Sequence, residues 1–313
     1  MILKPTLQHA APHIRRGLST RDVMGDVLIA TVPLILGAVW NFGWRALWLV
    51  LISAAVCGAC DWLGSRLRGQ PVFDLSGPAT GVLLALCLPV GIPVWALAAA
   101  GVFAILVVKQ IPGGVGRNIF NPAMAGRALL MVAFPHTLQG YANIDALSTA
   151  TPLTHLETDS LLPMLFGFEN GSMGETSVLL ILVGAAYLYL RGRIRLGVPV
   201  TCLAVFTLFV WVWGGTVPFT GPAAAHLLSG GLFFAAFFFV TDYTTKPVTP
   251  AGEYIFAGGV GLLTAILRLW GTYPEGVCFA ILLMNLAAPL IEYGTRRRVY
   301  GVQSRPAEQQ AEI

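Results

Sequence analysis

Val23-Met-Gly-Asp-Val-Leu-Ile-Ala-Thr-Val-Pro-Leu-Ile-Leu-Gly-Ala-Val-Trp-Asn-Phe-Gly43 is an apolar run with a single charge, Asp26, and a second apolar run follows at 45–65. A stretch of about 17 to 22 apolar residues can cross roughly 30 Å of hydrocarbon as an α-helix. Further stretches of this kind lie at 93–110, 175–191, 197–214, 223–241, 252–270 and 276–294. The sequence therefore predicts an all-α polytopic membrane protein.

The composition of the whole chain supports this fold class. Of its 313 residues, 56% are hydrophobic and only 11% are charged, and the mean hydropathy is +0.74. Soluble domains contain about 25% charged residues, so this chain is too apolar for a soluble fold. No nucleic-acid partner is expected.

Two shorter apolar stretches, at 76–89 and 119–134, are interrupted or bounded by Gly and Pro. Irregular backbone is tolerated at membrane depth only where it is packed inside protein. We therefore expect these stretches to be broken or tilted helices surrounded by the other segments. Counting them gives about ten transmembrane segments.

The distribution of cations predicts the orientation, because Lys and Arg are retained on the cytoplasmic side during insertion. With ten segments, the cations that follow or precede them fall on one face: Arg15, Arg16, Arg21, Arg66, Arg68, Lys109, Arg117, Arg191, Arg193, Arg195, Lys246, Arg296, Arg297 and Arg298. Residues 135–174 contain no Lys or Arg. Both termini are thus predicted to be cytoplasmic, with this loop on the periplasmic or outer side of the cell inner membrane.

An odd number of crossings on each side of the outer loop predicts a 5+5 inverted repeat. Gly77-Pro78-Ala79 recurs as Gly221-Pro222-Ala223, and each is followed by a Leu-Leu pair. The predicted organisation comprises two tails, two membrane repeats and the loop between them: 1–22, 23–134, 135–174, 175–294 and 295–313.

The outer loop contains Asp145-Ala-Leu-Ser-Thr-Ala-Thr151, followed by Pro152. This segment resembles the flavinylation motif Asp-x-x-(Ser/Thr)-Gly-Ala-(Thr/Ser), in which a flavin transferase esterifies the last hydroxyl with the phosphate of FMN. The resemblance implies covalent FMN at Thr151, with Asp145, Ser148 and Ala150 completing the motif. Thr149 stands where the motif usually has Gly, and its branched side chain is stiffer.

Two further stretches, Gly113-Gly-Val-Gly-Arg-Asn-Ile-Phe-Asn-Pro-Ala123 and Tyr273-Pro-Glu-Gly-Val-Cys-Phe-Ala-Ile-Leu-Leu-Met-Asn285, resemble signature stretches of the NqrB/RnfD family. The chain is similar to the shorter, RnfD type. The resemblance implies a flavin-carrying component of an Rnf-type ferredoxin:NAD oxidoreductase that moves electrons across the membrane and is coupled to Na⁺ or H⁺ translocation. The implied partners are the A, B, C, E and G components of such a complex, and a flavin transferase.

Two alternatives remain open. An NqrB-type component of a sodium-pumping NADH:quinone reductase usually has a longer N-terminal extension, whereas here the first apolar run begins at about residue 23. A solute transporter with urea-channel-like architecture would also fit ten segments in an inverted repeat. Such a transporter has no use for the motif at 145–151.

The resemblance further implies a second, noncovalent flavin, riboflavin, held within the membrane part of the chain. Two polar clusters predicted at the cytoplasmic face are the candidate contacts: Asn118 with Asn121, and Thr241 with Asp242. Helix capping and loop structure is the alternative role for these side chains. No metal site and no catalytic acid, base or nucleophile set is predicted.

Ionisable residues at membrane depth are costly and mark functional sites or paired charges. The candidates are Asp26, Asp61, Arg127, Asp242 and Arg268. Asp61 precedes Arg66 and Arg68, and Asp242 precedes Lys246, so interfacial ion pairing competes with ion conduction as their role. For Arg127, a structural salt bridge competes with contact to an anionic headgroup or a flavin.

Overall fold

The computed structural model describes residues 19–69, 74–138, 171–175, 177–215, 217–228, 231–271 and 276–296. Within these ranges every regular element is a helix. The α-helices are α1 (Thr20–Phe42), α2 (Trp44–Leu67), α3 (Ser76–Leu86), α4 (Val94–Val102), α5 (Pro122–Ala133), α6 (Val178–Leu190), α7 (Gly197–Trp213), α8 (Ala223–Leu228), α9 (Leu232–Phe234), α10 (Pro250–Trp270) and α11 (Val277–Thr295). A short 3₁₀ helix, Pro135–Leu138, follows α5.

Four helices in the described part of the chain, α1, α2, α10 and α11, are long and apolar enough to cross a membrane. The others are shorter apolar helices, two of them extended by π-helical turns. The chain is therefore a multi-pass helical membrane protein. The count of ten crossings and the 5+5 inverted repeat remain predictions.

Helices α1 and α2 form a hairpin whose ends follow from local chemistry. Ser19 and Asp22 make a capping box at the start of α1, which satisfies backbone N–H groups of its first turn. Gly43 joins the two helices with a φ of +73°, a backbone conformation that favours glycine. Trp40 and Trp44 beside it are 86% and 72% exposed, as expected for aromatic side chains at a membrane interface.

The short helix α3 is packed inside the protein, as predicted for this stretch. Leu84, Ala85 and Leu86 are almost completely buried. Gly81 allows α3 to approach α2 closely, because a Cβ there would lie only 2.8 Å from the Cα of Ala54. The Ser53 hydroxyl donates a 2.7 Å hydrogen bond to the Gly81 carbonyl. Small residues and such bonds are typical of contacts between membrane helices.

Two predicted segments differ in detail from the structure. The stretch predicted at 175–191 becomes helical only at Val178, where the Ser177 side chain caps the helix by accepting from the Leu180 backbone N–H. Before it, Met173 and Gly174 donate backbone hydrogen bonds to Leu88 and Leu86 near the end of α3. The stretch predicted at 223–241 is divided into α8 and α9, and Gly231 precedes the second helix.

Two π-helical turns extend the short helices toward one region of the molecule. One continues α4 over Phe103–Gln110, and the other continues α9 over Ala235–Phe239. Widened turns of this kind are frequent at functional sites. The first contains Lys109, and the second is followed by Thr241 and Asp242.

Candidate cofactor cavity

A cavity lies where the two π-helical turns meet the ends of α1, α3, α5 and α6. It holds about 780 Å³ of empty space, including the part that is open to the outside. The predicted candidates Asn118, Asn121, Thr241 and Asp242 all line it, although they come from distant parts of the sequence. Its apolar wall is formed by side chains that include Val23, Met24, Val27, Leu83, Leu188 and Phe238.

Asp242 is the acceptor around which one side of the cavity is organised. Its Oδ2 accepts hydrogen bonds from Asn121 Nδ2 at 3.0 Å, Thr244 Oγ1 at 2.8 Å and Thr245 Oγ1 at 3.4 Å. Its Oδ1 accepts from the Thr244 backbone N–H at 3.2 Å. Burial raises the pKa of this carboxyl above its ordinary value, although these hydrogen bonds act in the opposite direction.

Pairing of Asp242 with Lys246 was the wrong expectation. Lys246 Nζ instead lies 2.9 Å from Glu253 Oε1, near the start of α10. Arg195 Nη1 lies 3.5 Å from the other oxygen of Glu253. Lys246 thus pairs with Glu253, a residue that the sequence analysis did not single out. Asp242 instead accepts hydrogen bonds from neutral donors.

Asn121 has the capping role that was its alternative, while also lining the cavity. Its side-chain oxygen accepts a 3.2 Å hydrogen bond from the Met124 backbone N–H at the start of α5, and Pro122 occupies the first turn. Its own backbone N–H donates to Asn285 Oδ1 at 3.0 Å, and Asn285 Nδ2 donates to the Thr245 carbonyl. Asn285 therefore ties α11 to both polar clusters. An amide in an otherwise apolar helix was the signal that could have found it.

Asn118 and Thr241 bond locally. Asn118 Oδ1 accepts from the Gly116 backbone N–H at 3.2 Å, and its Nδ2 donates to the Phe120 carbonyl at 3.3 Å. Gly116 has a φ of +82°, a backbone conformation that favours glycine and lets the chain turn sharply here. The Thr241 hydroxyl donates to the Phe237 carbonyl in the π-helical turn at 2.6 Å.

Lys109, which lines the cavity next to Ser76, forms a buried ion pair with Asp61. Lys109 Nζ is 2.8 Å from Asp61 Oδ1 and also donates to Ser76 Oγ. Gln110 Nε2 donates to the same carboxylate. Ion pairing is thus the role that the structure supports for Asp61, but its partner is Lys109 and not the arginines that follow it in the sequence. Arg66 stacks on Trp62, and Arg68 donates to the Gln110 carbonyl.

A second buried carboxylate, Asp26, joins α1 to the segment that follows α6. Arg193 Nε is 2.6 Å from Asp26 Oδ2, and Arg191 Nε is 3.0 Å from Oδ1. The Tyr187 hydroxyl donates to Oδ1 at 3.0 Å. Sequence reasoning named Asp26 but used these arginines only to predict orientation. Arg193 lines the cavity.

The two remaining intramembrane arginines are not among the residues that line this cavity. Arg127 Nη1 lies 2.8 Å from Glu175 Oε1, and both side chains are buried, so the structural salt bridge is the role that the structure supports. Glu175 is thus part of the packed interior. Arg268 donates to the His226 carbonyl and stacks over Phe206.

The flavinylation-like motif, with Asp145, Ser148, Ala150 and Thr151, lies outside the described residues. The structure therefore neither tests the motif nor relates it to the cavity. The candidates for the second flavin are brought together, but the contact with a flavin remains a prediction.

Comparison with known proteins covers nearly the whole chain. The sequence profile described as the NQR2, RnfD, RnfE family matches residues 7–301. The chain is 38% identical over 317 residues to the D component of the proton-translocating ferredoxin:NAD(+) oxidoreductase complex of Clostridium ljungdahlii, covering 92% of this chain and 96% of the relative. It is 41% identical over 306 residues to the D component of the Na(+)-translocating ferredoxin:NAD(+) oxidoreductase complex of Acetobacterium woodii, covering 94% of both. It is 36% identical over 331 residues to the D component of the ion-translocating oxidoreductase complex of Stutzerimonas stutzeri, covering 92% and 94%.

Proposed function

Because the chain belongs to the NQR2, RnfD, RnfE family, we propose that it is the D component of an Rnf-type ferredoxin:NAD oxidoreductase complex that couples electron transfer to Na⁺ or H⁺ translocation. The observation that carries this proposal is its similarity to D components of such complexes over more than nine-tenths of both chains. Those two relatives are named for different ions, so the similarity does not choose between Na⁺ and H⁺. The activity belongs to the assembled complex, and the other components are its partners.

The flavin-carrying role follows from two separate sites. The first is Thr151, proposed to carry FMN through a phosphoester after the action of a flavin transferase. The match of 145–151 to the flavinylation motif supports it. The absence of Lys and Arg from the sequence 135–174 supports a position on the outer side of the cell inner membrane. A covalent link would retain the cofactor in a loop that faces the medium.

The second site is the cavity, proposed to hold riboflavin. Apolar side chains on several helices suit a planar ring system, and nearly half of the lining residues have polar side chains that can bond to its edge. Asp242 can accept from a ring N–H or a ribityl hydroxyl, while Arg193 and Lys109 can only donate. These two donors and one acceptor therefore fit a neutral ligand that has both carbonyl and N–H groups.

Bound flavins would supply the one- and two-electron chemistry, and the protein would supply position and electrostatics. The described residues serve these purposes in different ways. Asp242, Asn121 and Asn285 fix the polar wall through mutual hydrogen bonds, and the apolar wall excludes water. Together, an outer and an inner flavin would form part of a route for electrons across the bilayer.

The first experiment addresses the covalent site. The chain is produced together with a flavin transferase, denatured, and analysed by intact mass spectrometry and in-gel ultraviolet fluorescence. We expect a fluorescent FMN adduct in the native sequence and its complete loss in Thr151→Val, because valine lacks the acceptor hydroxyl.

Thr154→Val is the matched control, since it removes a hydroxyl from the same loop but outside the motif. This variant should keep the adduct. An unmodified native chain under these conditions would contradict the covalent site and favour the transporter alternative. An FMN adduct that persists in Thr151→Val would show that another residue is the acceptor.

A further inference from the structure

Arg193 is a buried cation whose two terminal amino groups bond to no other residue in the part of the chain that the structure describes. Its side chain is only 8% exposed, and its contact with Asp26 is made through Nε at 2.6 Å. Nη1 and Nη2 make no hydrogen bond to any residue of the described ranges. Since Arg193 also lines the cavity, it provides two N–H-bearing groups where a ligand would lie.

Asp26 holds this guanidinium in place through a buried ion pair. One carboxylate, itself 3% exposed, faces two guanidinium groups, Arg191 and Arg193, and the Tyr187 hydroxyl. The side chain of Arg191 is 54% exposed, so solvent screens its charge. Arg193 is less screened because its side chain is only 8% exposed, so replacing it changes the charge of the cavity wall by one unit next to the space where a ligand would lie.

The other cation of the cavity, Lys109, has fewer free donors. Lys109 Nζ is 2.8 Å from the Asp61 carboxylate and donates to Ser76 Oγ. Asp242 is an acceptor on another element of the wall. Of the two cations that line the cavity, Arg193 therefore has the larger unused hydrogen-bonding capacity among the described residues: its two Nη amino groups, against one N–H of Lys109.

We propose that Arg193 is the residue that binds the acceptor edge of the flavin in this cavity, through its Nη amino groups, while Asp26 and Tyr187 position it. This inference rests on the proposed function of the cavity. A guanidinium carries only donors, so it can meet ring carbonyl oxygens and unprotonated ring nitrogens but not N–H groups. A fixed positive charge there also stabilises the more electron-rich, reduced ring. Arg193 thereby contributes to both affinity and reduction potential.

Arg191 offers a matched control for the experiment. It contacts the same Asp26 carboxylate but is not among the residues that line the cavity. Arg193→Gln, Arg191→Gln and the native sequence are compared in the purified whole complex. Acid-released flavin is separated from the denatured protein and quantified, so that covalently bound FMN is not counted. Binding of added riboflavin to the flavin-depleted complex is then measured by ultrafiltration, and the midpoint potential of the noncovalent flavin by redox titration.

We expect Arg193→Gln to weaken riboflavin binding by roughly ten- to a hundredfold, which is the usual effect of losing a hydrogen bond to a charged group. The remaining bound flavin should have a more negative midpoint potential. Arg191→Gln should bind within about threefold of the native complex, because an exposed ion pair contributes little. If Arg193→Gln does not assemble, Arg193→Lys retains the charge near Asp26 with fewer donors and should show an intermediate loss.

The possible results separate the two proposals. Native riboflavin affinity and potential in Arg193→Gln would overturn the role of Arg193 and leave the cavity as a flavin site. An equal loss in both glutamine variants would also overturn it, because the Asp26 cluster would then act only on folding. A native complex that neither releases nor binds riboflavin would refute the proposed ligand of the cavity, and with it the role of Arg193. The Thr151 adduct is tested independently.

Discussion

Asp242 concentrates the hydrogen bonds of one side of the cavity on a single side chain. Donors from Asn121, Thr244 and Thr245 converge on its carboxylate. A buried donor that loses its acceptor costs about 1–3 kcal/mol. The residue therefore serves the fold of the cavity as well as its chemistry.

We expect Asp242→Ala to destabilise the protein by about 2–4 kcal/mol, since more than one buried donor loses its acceptor. Asp242→Asn keeps one acceptor oxygen and should be milder. Thermal unfolding of the detergent-solubilised protein measures both, and the riboflavin content of the complex should fall in the same order. Equal melting temperatures for the native sequence and Asp242→Ala would contradict this role.

The sequence predicted some residues of the cavity but not the residues that bond to them, and the difference has a physical reason. Asn118, Asn121, Thr241 and Asp242 were found because polar side chains stand out beside apolar runs. Their hydrogen-bond partners were missed where the two residues are far apart in the sequence, as Asn121 and Asn285 are. Such pairings leave no periodic signal. Lys109 and Arg193 were visible only as cations that set orientation, although burial gives them another role.

At the scale of elements, the helices themselves followed from the length of the apolar runs and from Gly and Pro. The start of α5 at Pro122 and the burial of α3 agree with the sequence. The π-helical turns at Phe103–Gln110 and Ala235–Phe239 do not correspond to any sequence signal that we could identify. They depend on how neighbouring helices pack, and they orient the residues of the cavity.

The close contact between α2 and α3 predicts how a substitution of Gly81 changes the stability of the protein. Gly81→Ala places a methyl group 2.8 Å from the Ala54 Cα, and backbone cannot rotate away as a side chain can. We expect a loss of about 1–3 kcal/mol, typical of overpacking, measured by thermal unfolding in detergent.

Gly25→Ala in α1 is the matched control. The added methyl would meet only Leu75 Cδ1 at 3.9 Å, an ordinary contact, and alanine favours helix over glycine by roughly 0.5–1 kcal/mol. This variant should be neutral or slightly stabilised. A Gly81→Ala protein as stable as Gly25→Ala would show that α2 and α3 can separate without cost.

For the whole molecule, the sequence predicted a multi-pass helical membrane protein, and the structure and the family agree. The ten crossings, the inverted repeat and the sidedness are finer predictions. Sidedness depends on the bilayer and on insertion, so helix packing alone does not carry it.

Labelling with a membrane-impermeant thiol reagent in intact cells tests the sidedness. Thr154→Cys should react from outside, because its loop lacks cations, whereas Arg195→Cys should react only after the membrane is opened. Arg195 is a suitable site because its side chain is 62% exposed. Cys60, which is only partly buried, is replaced by Ser in both variants. The reverse pattern of labelling would invert the predicted topology.

The ion pair between Arg127 and Glu175 also bears on biogenesis. A ribosome adds the arginine first, and the chain must grow by a further 48 residues before the carboxylate is added. A protein fragment that stops before Glu175 therefore lacks this counter-ion for a buried guanidinium. The first half of the molecule can reach its mature state only when the second half has begun to be translated.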